Sequence, residues 1–222
     1  MPHRPNPPNH CRRCGTCCRK GGPALHQADF ALLRDKTIRR EDLVTLRVGE
    51  MVHDQFKGRI IPLDFECIKI RSRDHTGCCF HQPVPALQAI ASGATSHPSG
   101  HCAIHENKPA ECAALKCWDI ADLALISATP RLSRLEILGK DNPLFELIRD
   151  HETRCSVADL LRHIQTPNPE SVEHMRQATA YDAALRDLLQ KKAGVPANHI
   201  TFILGRPLSE VILGLRRWVA MH

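Results

Sequence analysis

Four of the chain's eleven cysteines fall within eight residues, Cys11-Arg12-Arg13-Cys14-Gly15-Thr16-Cys17-Cys18. Thiols at this density either pair as disulfides or bind metal as thiolates. The cysteine count is odd, so complete pairing is impossible. The chain opens on Met1-Pro2-His3-Arg4-Pro5-Asn6-Pro7-Pro8, without the apolar run of a secretory leader. The expectation is a cytoplasmic, reducing setting and metal–thiolate chemistry.

The spacing narrows the metal. A Cys-x-x-Cys turn aims two sulfurs at one ion, and Gly15 gives the backbone freedom just after the second thiol. The doublet Cys17-Cys18 is harder to place. In an extended chain its side chains diverge, and one tetrahedral ion would not take both. Two centres would resolve this, as in ferredoxins where one cysteine of a run serves the other cluster. A helical turn would also resolve it, with Cys14, Cys17 and Cys18 at i, i+3 and i+4 on one face. Either way the pattern tilts toward an iron–sulfur cluster, 4Fe–4S favoured, with zinc as the alternative.

More thiols follow. Cys78-Cys79 is a second doublet, with Cys79 its spare member. Pro109 fits the first position of a helix, which puts Cys112 in the first turn, where the dipole favours a thiolate. Cys117 shares a helical stripe with Ala110, Ala114, Ala121 and Leu125, so it is a ligand or a core residue. Cys67 is equally open, and Cys155, alone between Arg154 and Ser156, reads as structural. His101, His105 and Glu106 flank Cys102 and could act as a ligand or acid–base group. His3 and His10 sit in a proline-rich arm and read as solvated.

The elements that must position these groups are legible in part. Residues 1–10 form a flexible arm. Residues 24–55 read as helical, with one helix at Asp29–Leu33 and a second from Glu41 through Leu46. Short strands are expected at 59–62 and 67–71, and a hairpin carries Cys67 and Cys78-Cys79 toward the first cluster. A Ser, Gly, Pro and Thr loop spans 92–100. Helices are expected from Pro143 to His151, from Val157 to Ile164 with Ser156 as its cap, from Glu170 to Ala193, and after Pro207. On the third of these Val172, Met175, Ala178, Tyr181, Leu185 and Leu188 form the inward side. The fold class is mainly α with a small β-hairpin: a cysteine-rich metal-binding domain at 11–120, then a helical region at 121–222 packed on it.

The elements at the cysteines are familiar together. Cys11-x2-Cys14-Gly15-x-Cys17-Cys18 resembles the opening of the CxxCxxCC-type cysteine-cluster family, the YkgJ-like proteins described as zinc- or iron-chelating domains. That family's Gly-x-Cys-x-Phe-Leu-like element is matched by Gly77-Cys78-Cys79-Phe80, with His81 in place of the leucine. Its Cys-x-Ile-Tyr-Glu-x-Arg-Pro-x-x-Cys element is matched by Cys102 through Cys112, with His105 for the tyrosine and Lys108 for the arginine. The resemblance covers roughly residues 11–117. It implies Cys11, Cys14, Cys17, Cys18, Cys78, Cys102 and Cys112 as ligands. Adding Cys117 or Cys67 gives eight, enough for two four-thiolate centres.

Three functions fit these residues. The first is an iron–sulfur protein with a redox or regulatory role and a protein or redox partner. The second is a zinc-stabilised interaction module. The third is a metalloenzyme; one relative in the resembled family, the flagellin lysine methylase, points to methyl transfer. A net charge of +6 and 4% aromatics argue against a nucleic-acid partner. The longest apolar stretch, Ile120 to Ala128, is short and contains Asp122, so no membrane span is expected.

Overall fold

The structure is a computed structural model, and it describes residue 11 and residues 14–73, 77–83 and 100–222. Residues 1–10 with His3 and His10, the pair Arg12 and Arg13, residues 74–76 and residues 92–99 of the expected polar loop lie outside the described residues. In chain order the helices are α1 (Thr16–Arg19), α2 (Phe30–Arg34), α3 (Ala110–Ala114), α4 (Ala121–Ser127), α5 (Arg134–Leu138), α6 (Leu144–Arg154), α7 (Val157–Gln165), α8 (Pro169–Lys191), α9 (Ala197–Ile203) and α10 (Leu208–Ala220). The strands are β1 (Leu43–Leu46), β2 (Met51–Asp54), β3 (Arg59–Pro62), β4 (Cys67–Ile70), β5 (His81–Pro83) and β6 (Gly100–Cys102). The fold is mainly α with small two-stranded sheets, the class expected from the sequence. No described helix is long and apolar enough to cross a membrane. The chain divides into two compact units, residues 1–38 with 70–131 and residues 39–69 with 132–222.

The first unit carries the cysteine cluster on short elements. Strands β5 and β6 pair antiparallel, with His81 opposite Cys102. Its buried aliphatic side chains among the described residues are few: Ala24, Leu25, Ile38, Ile70, Ala114 and Leu123. A polar network does much of the tying. Asp29 accepts the backbone N–H of Ala110 at 2.8 Å and of His26 at 2.9 Å. Glu111 accepts the N–H of Ala24 at 2.8 Å and pairs with His26 Nε2 at 3.2 Å and Arg131 at 3.4 Å. The other ring nitrogen of His26 meets the Thr129 hydroxyl at 2.8 Å. Both carboxylates are satisfied, so their burial is compensated.

The second unit is built on aliphatic packing. Cys155, Val157, Leu160, Met175, Ala178, Leu208, Val211, Ile212 and Leu215 form one buried cluster contributed by α7, α8, α10 and the C-terminal end of α6. Ser156 caps α7 as expected, its hydroxyl accepting the Asp159 N–H at 3.3 Å. Asn168 caps α8 by accepting from Ser171 at 2.8 Å, with Pro169 in the first turn. The buried stripe of α8 is Ser171, Met175, Ala178, Asp182, Leu185 and Leu189, whereas Val172 and Leu188 are exposed. The face is rotated from the apolar reading because two polar residues turn inward to bonded partners, Ser171 to His163 and Asp182 to His151.

Two expectations fail here. The helix from Glu41 through Leu46 is a short 3-10 turn at Arg40–Asp42 followed by strand β1. Leu43 and Thr45 are buried and alternate with half-buried Val44 and Leu46, a period of two, and the β-branched Val44 and Thr45 favour a strand. The strands at 59–62 and 67–70 are present, but β3 pairs with β2 and β4 with β1. A short antiparallel pairing does bring Ser72 opposite Cys78, with the Cys79 N–H on the Arg71 carbonyl, but Cys67 does not travel with it: it is buried in the second unit.

Candidate metal centre

Gly15 takes a left-handed backbone, φ 71°, and starts α1. Cys17 and Cys18 sit on that helix with their sulfurs 4.0 Å apart. Cys14 lies before it, so the expected three-sulfur helical face is two sulfurs on a helix and one on a loop. The Cys14 sulfur lies 3.2 Å from the Thr16 hydroxyl, and Arg19 donates to the Cys14 carbonyl at 3.2 Å.

The second thiol segment is docked on the first through backbone. The N–H of Cys78 donates to the Cys18 carbonyl at 2.7 Å. This requires a glycine at 77: a Cβ there would stand 2.5 Å from the Cys18 carbonyl oxygen, and φ is 116°. Cys79 is buried, its N–H bonded to the Arg71 carbonyl and its own carbonyl accepting from Arg73 at 2.7 Å. The His81 N–H returns to the Cys78 carbonyl at 2.9 Å, and β5–β6 pairing then sets Cys102 opposite His81. Cys112 rides on α3, whose first turn Asp29 and Glu111 anchor. Helix α3 ends at Ala114, so Cys117 lies beyond it and is exposed. The reading of Cys117 as a core residue on a continuous stripe is corrected accordingly. Cys11 is also exposed, and none of the eleven cysteines is joined in a disulfide.

The thiols sense one another. The Cys18 thiol shared with Cys102 and Cys17 lowers both of those to about 6, while Cys18 itself is pushed up. Cys78 is raised by its hydrogen bond with Cys79, then by burial. Cys14 is lowered by the Thr16 hydroxyl. Cys112 is raised by burial first, then by the nearby Cys78, Cys17 and Cys102. The helix that carries Cys112 has five residues, so its dipole offers little against that burial. Cys117 is raised by burial and then by Cys17, Cys14 and Cys11. Sulfurs from residues 11–18, 78, 102 and 112–117 therefore share one neighbourhood.

This donor set fits a thiolate-bound metal: many thiols, drawn from distant segments, with Cys17 and Cys102 held below the usual thiol range by their hydrogen bonds with Cys18. The group is loose. Among the described residues, three candidate donor atoms lie within 4.8 Å of one another only at His151, Cys155 and Asp182 in the second unit. That trio reads as a structural bridge. Asp182 Oδ1 takes His151 Nε2–H at 2.7 Å and Arg186 at 3.0 Å; Oδ2 takes Arg186 at 2.9 Å and the Leu208 N–H at 2.9 Å. Burial alone would raise the Asp182 carboxyl, but these donors outweigh it and hold it far below the carboxylate range. Cys155 is fully buried, as a structural cysteine should be, and burial pushes its thiol up to about 12.

Beside Cys102 lies a cleft of about 340 Å³, also lined by Thr37, His101, His105, Glu106 and Asn107. His105 Nδ1 is 3.4 Å from Glu106, while its Nε2 is buried without a partner. The residues that sequence reading passed over are Asp29, Glu111 and His81. Glu111 stands directly before Cys112, and a carboxylate at that place was the available signal. No protein-family model matches the chain, and neither curated proteins nor solved structures give a match.

Proposed function

We propose that the first unit is a metal–thiolate module of the CxxCxxCC type that binds an iron–sulfur cluster, 4Fe–4S in kind, and serves a redox or regulatory role in the cytoplasm with a protein partner. Cys11, Cys14, Cys17, Cys18, Cys78, Cys102, Cys112 and Cys117 would hold it, and eight thiols suffice for two centres. The observation that supports this reading is the meeting of Cys17 and Cys18 with Cys102 and Cys112, which are separated by more than eighty residues in the chain. When bound, such a cluster supplies one-electron chemistry. The protein's own residues orient the sulfurs through the Cys78–Cys18 backbone bond and the Asp29–Glu111 anchor. Arg19, Lys20 and Lys108 offset the thiolate charge, and Lys108 favours the Cys17 thiolate directly. Anaerobic purification should give a brown protein with iron and acid-labile sulfide. Colourless protein with stoichiometric zinc would reject the cluster in favour of a zinc-stabilised module.

The cleft beside Cys102 favours one second reading, a metalloenzyme with His105 or Glu106 as acid–base group. Substituting both residues without any change in the phenotype of cells that depend on the protein would remove it.

A further inference from the structure

His81 is the least explained polar group of the first unit. The residue is only 7% exposed, yet its Nε2 has no hydrogen-bond partner among the described residues. A buried nitrogen left without a partner is costly, so a partner is expected. Its surroundings name the partner's chemistry. A Cβ on Gly15 would stand 2.4 Å from Nε2, and a Cβ on Gly100 would stand 2.2 Å from it. The nitrogen thus lies against two glycines, one between Cys14 and the Cys17-Cys18 doublet, the other two residues before Cys102. The backbone of His81 bonds Cys78, and its strand partner is Cys102, so the two side chains project from the same face of the pair. Three of the thiol segments therefore border one unpartnered imidazole. His105 also has a buried Nε2 without a partner among the described residues, but its Nδ1 already meets Glu106 at 3.4 Å, and the thiol segment its cleft borders is that of Cys102 alone.

We infer that His81 Nε2 is a nitrogen ligand of the metal centre, giving mixed sulfur and nitrogen donation. This rests on the metal–thiolate reading and extends it to a residue outside the thiol set. The resembled family places a leucine here, which has no donor atom, so the ligand would be particular to this chain. Imidazole in place of thiolate removes a negative charge from the centre and raises its reduction potential.

The test uses the full chain, reconstituted anaerobically with ferrous iron and sulfide, and separately loaded with Co(II). Pulsed EPR of the reduced wild-type cluster should show coupling to a ligated ¹⁴N. The coupling should persist in His101→Asn and His105→Asn and vanish in His81→Leu. His81→Cys, which restores a donor if the leucine variant fails to fold, should keep its metal, lose the coupling and shift to a lower potential. In the Co(II) form its d–d bands should move to longer wavelength. A thiolate-bound centre without ¹⁴N coupling, or coupling that survives in His81→Leu and His81→Cys, overturns the inference and leaves the metal–thiolate reading standing. Wild-type protein that takes up neither iron with sulfide nor Co(II) overturns both.

Discussion

The two units of this chain reach order by different routes. The second buries a continuous set of Leu, Ile, Val and Met side chains on helices of up to 23 residues. The first has helices of four to seven residues, a handful of buried aliphatics, and a crowd of thiols held by backbone bonds and two carboxylates. Helices so short are not stable through their own hydrogen bonding. On the reading proposed above, metal held by the thiols would supply the cohesion that short helices and few buried aliphatics do not.

The strongest way to break this comparison is to remove metal. Structural zinc in finger peptides contributes about 10–16 kcal/mol, and a cluster bound by more thiolates should matter as much. Chelation should abolish amide-exchange protection at 14–38 and 100–131 while protection at 39–69 and 132–222 persists. Equal protection in both stretches after full metal removal would mean that the first unit stands on its own packing.

The next effect lies in the second unit. Asp182→Ala leaves His151 Nε2 and the Leu208 N–H without their partner in a buried place and Arg186 with carbonyl acceptors alone, and should cost about 3–5 kcal/mol without changing metal content. The sign with pH is fixed by the depressed carboxyl. Its contribution is complete above the ordinary carboxylate range, near pH 4, and is lost as pH falls below that toward the folded value. Acid titration of protection in the second unit should show this loss, and Asp182→Asn should lack it.

The smallest effect sharpens the boundary. Glu111→Gln weakens the anchor from Ala24, His26 and Arg131 to the turn carrying Cys112. It should cost about 1–3 kcal/mol and lower metal occupancy, whereas Cys155→Ala should leave occupancy at the wild-type level. Unchanged occupancy in Glu111→Gln would show that Cys112 is placed by other contacts.

How far these features could be read beforehand follows from their physics. Helices α7 and α10 were legible because caps, Pro207 and a 3.6-residue stripe agree. The inward face of α8 was not, because Ser171 and Asp182 are turned inward by partners on other elements. Strand β1 was missed because Glu41-Asp42 ahead of Leu43 imitates a helix start. The thiol spacing announced its chemistry, but the placement of Cys67 depends on which strand β4 joins, which is a long-range choice. His81 was visible only as a departure from the resembled pattern; its burial and its missing partner belong to the folded chain.

The chain leaves the first unit after residue 38 and re-enters it at 70. During synthesis the amino-terminal thiols thus emerge long before Cys112 and Cys117, and they wait while the whole 39–69 excursion is translated. For that interval none of their partners from residues 78–117 has yet been made. Cells making this protein would need to shield a nascent chain from oxidation and from premature capture of the wrong ion.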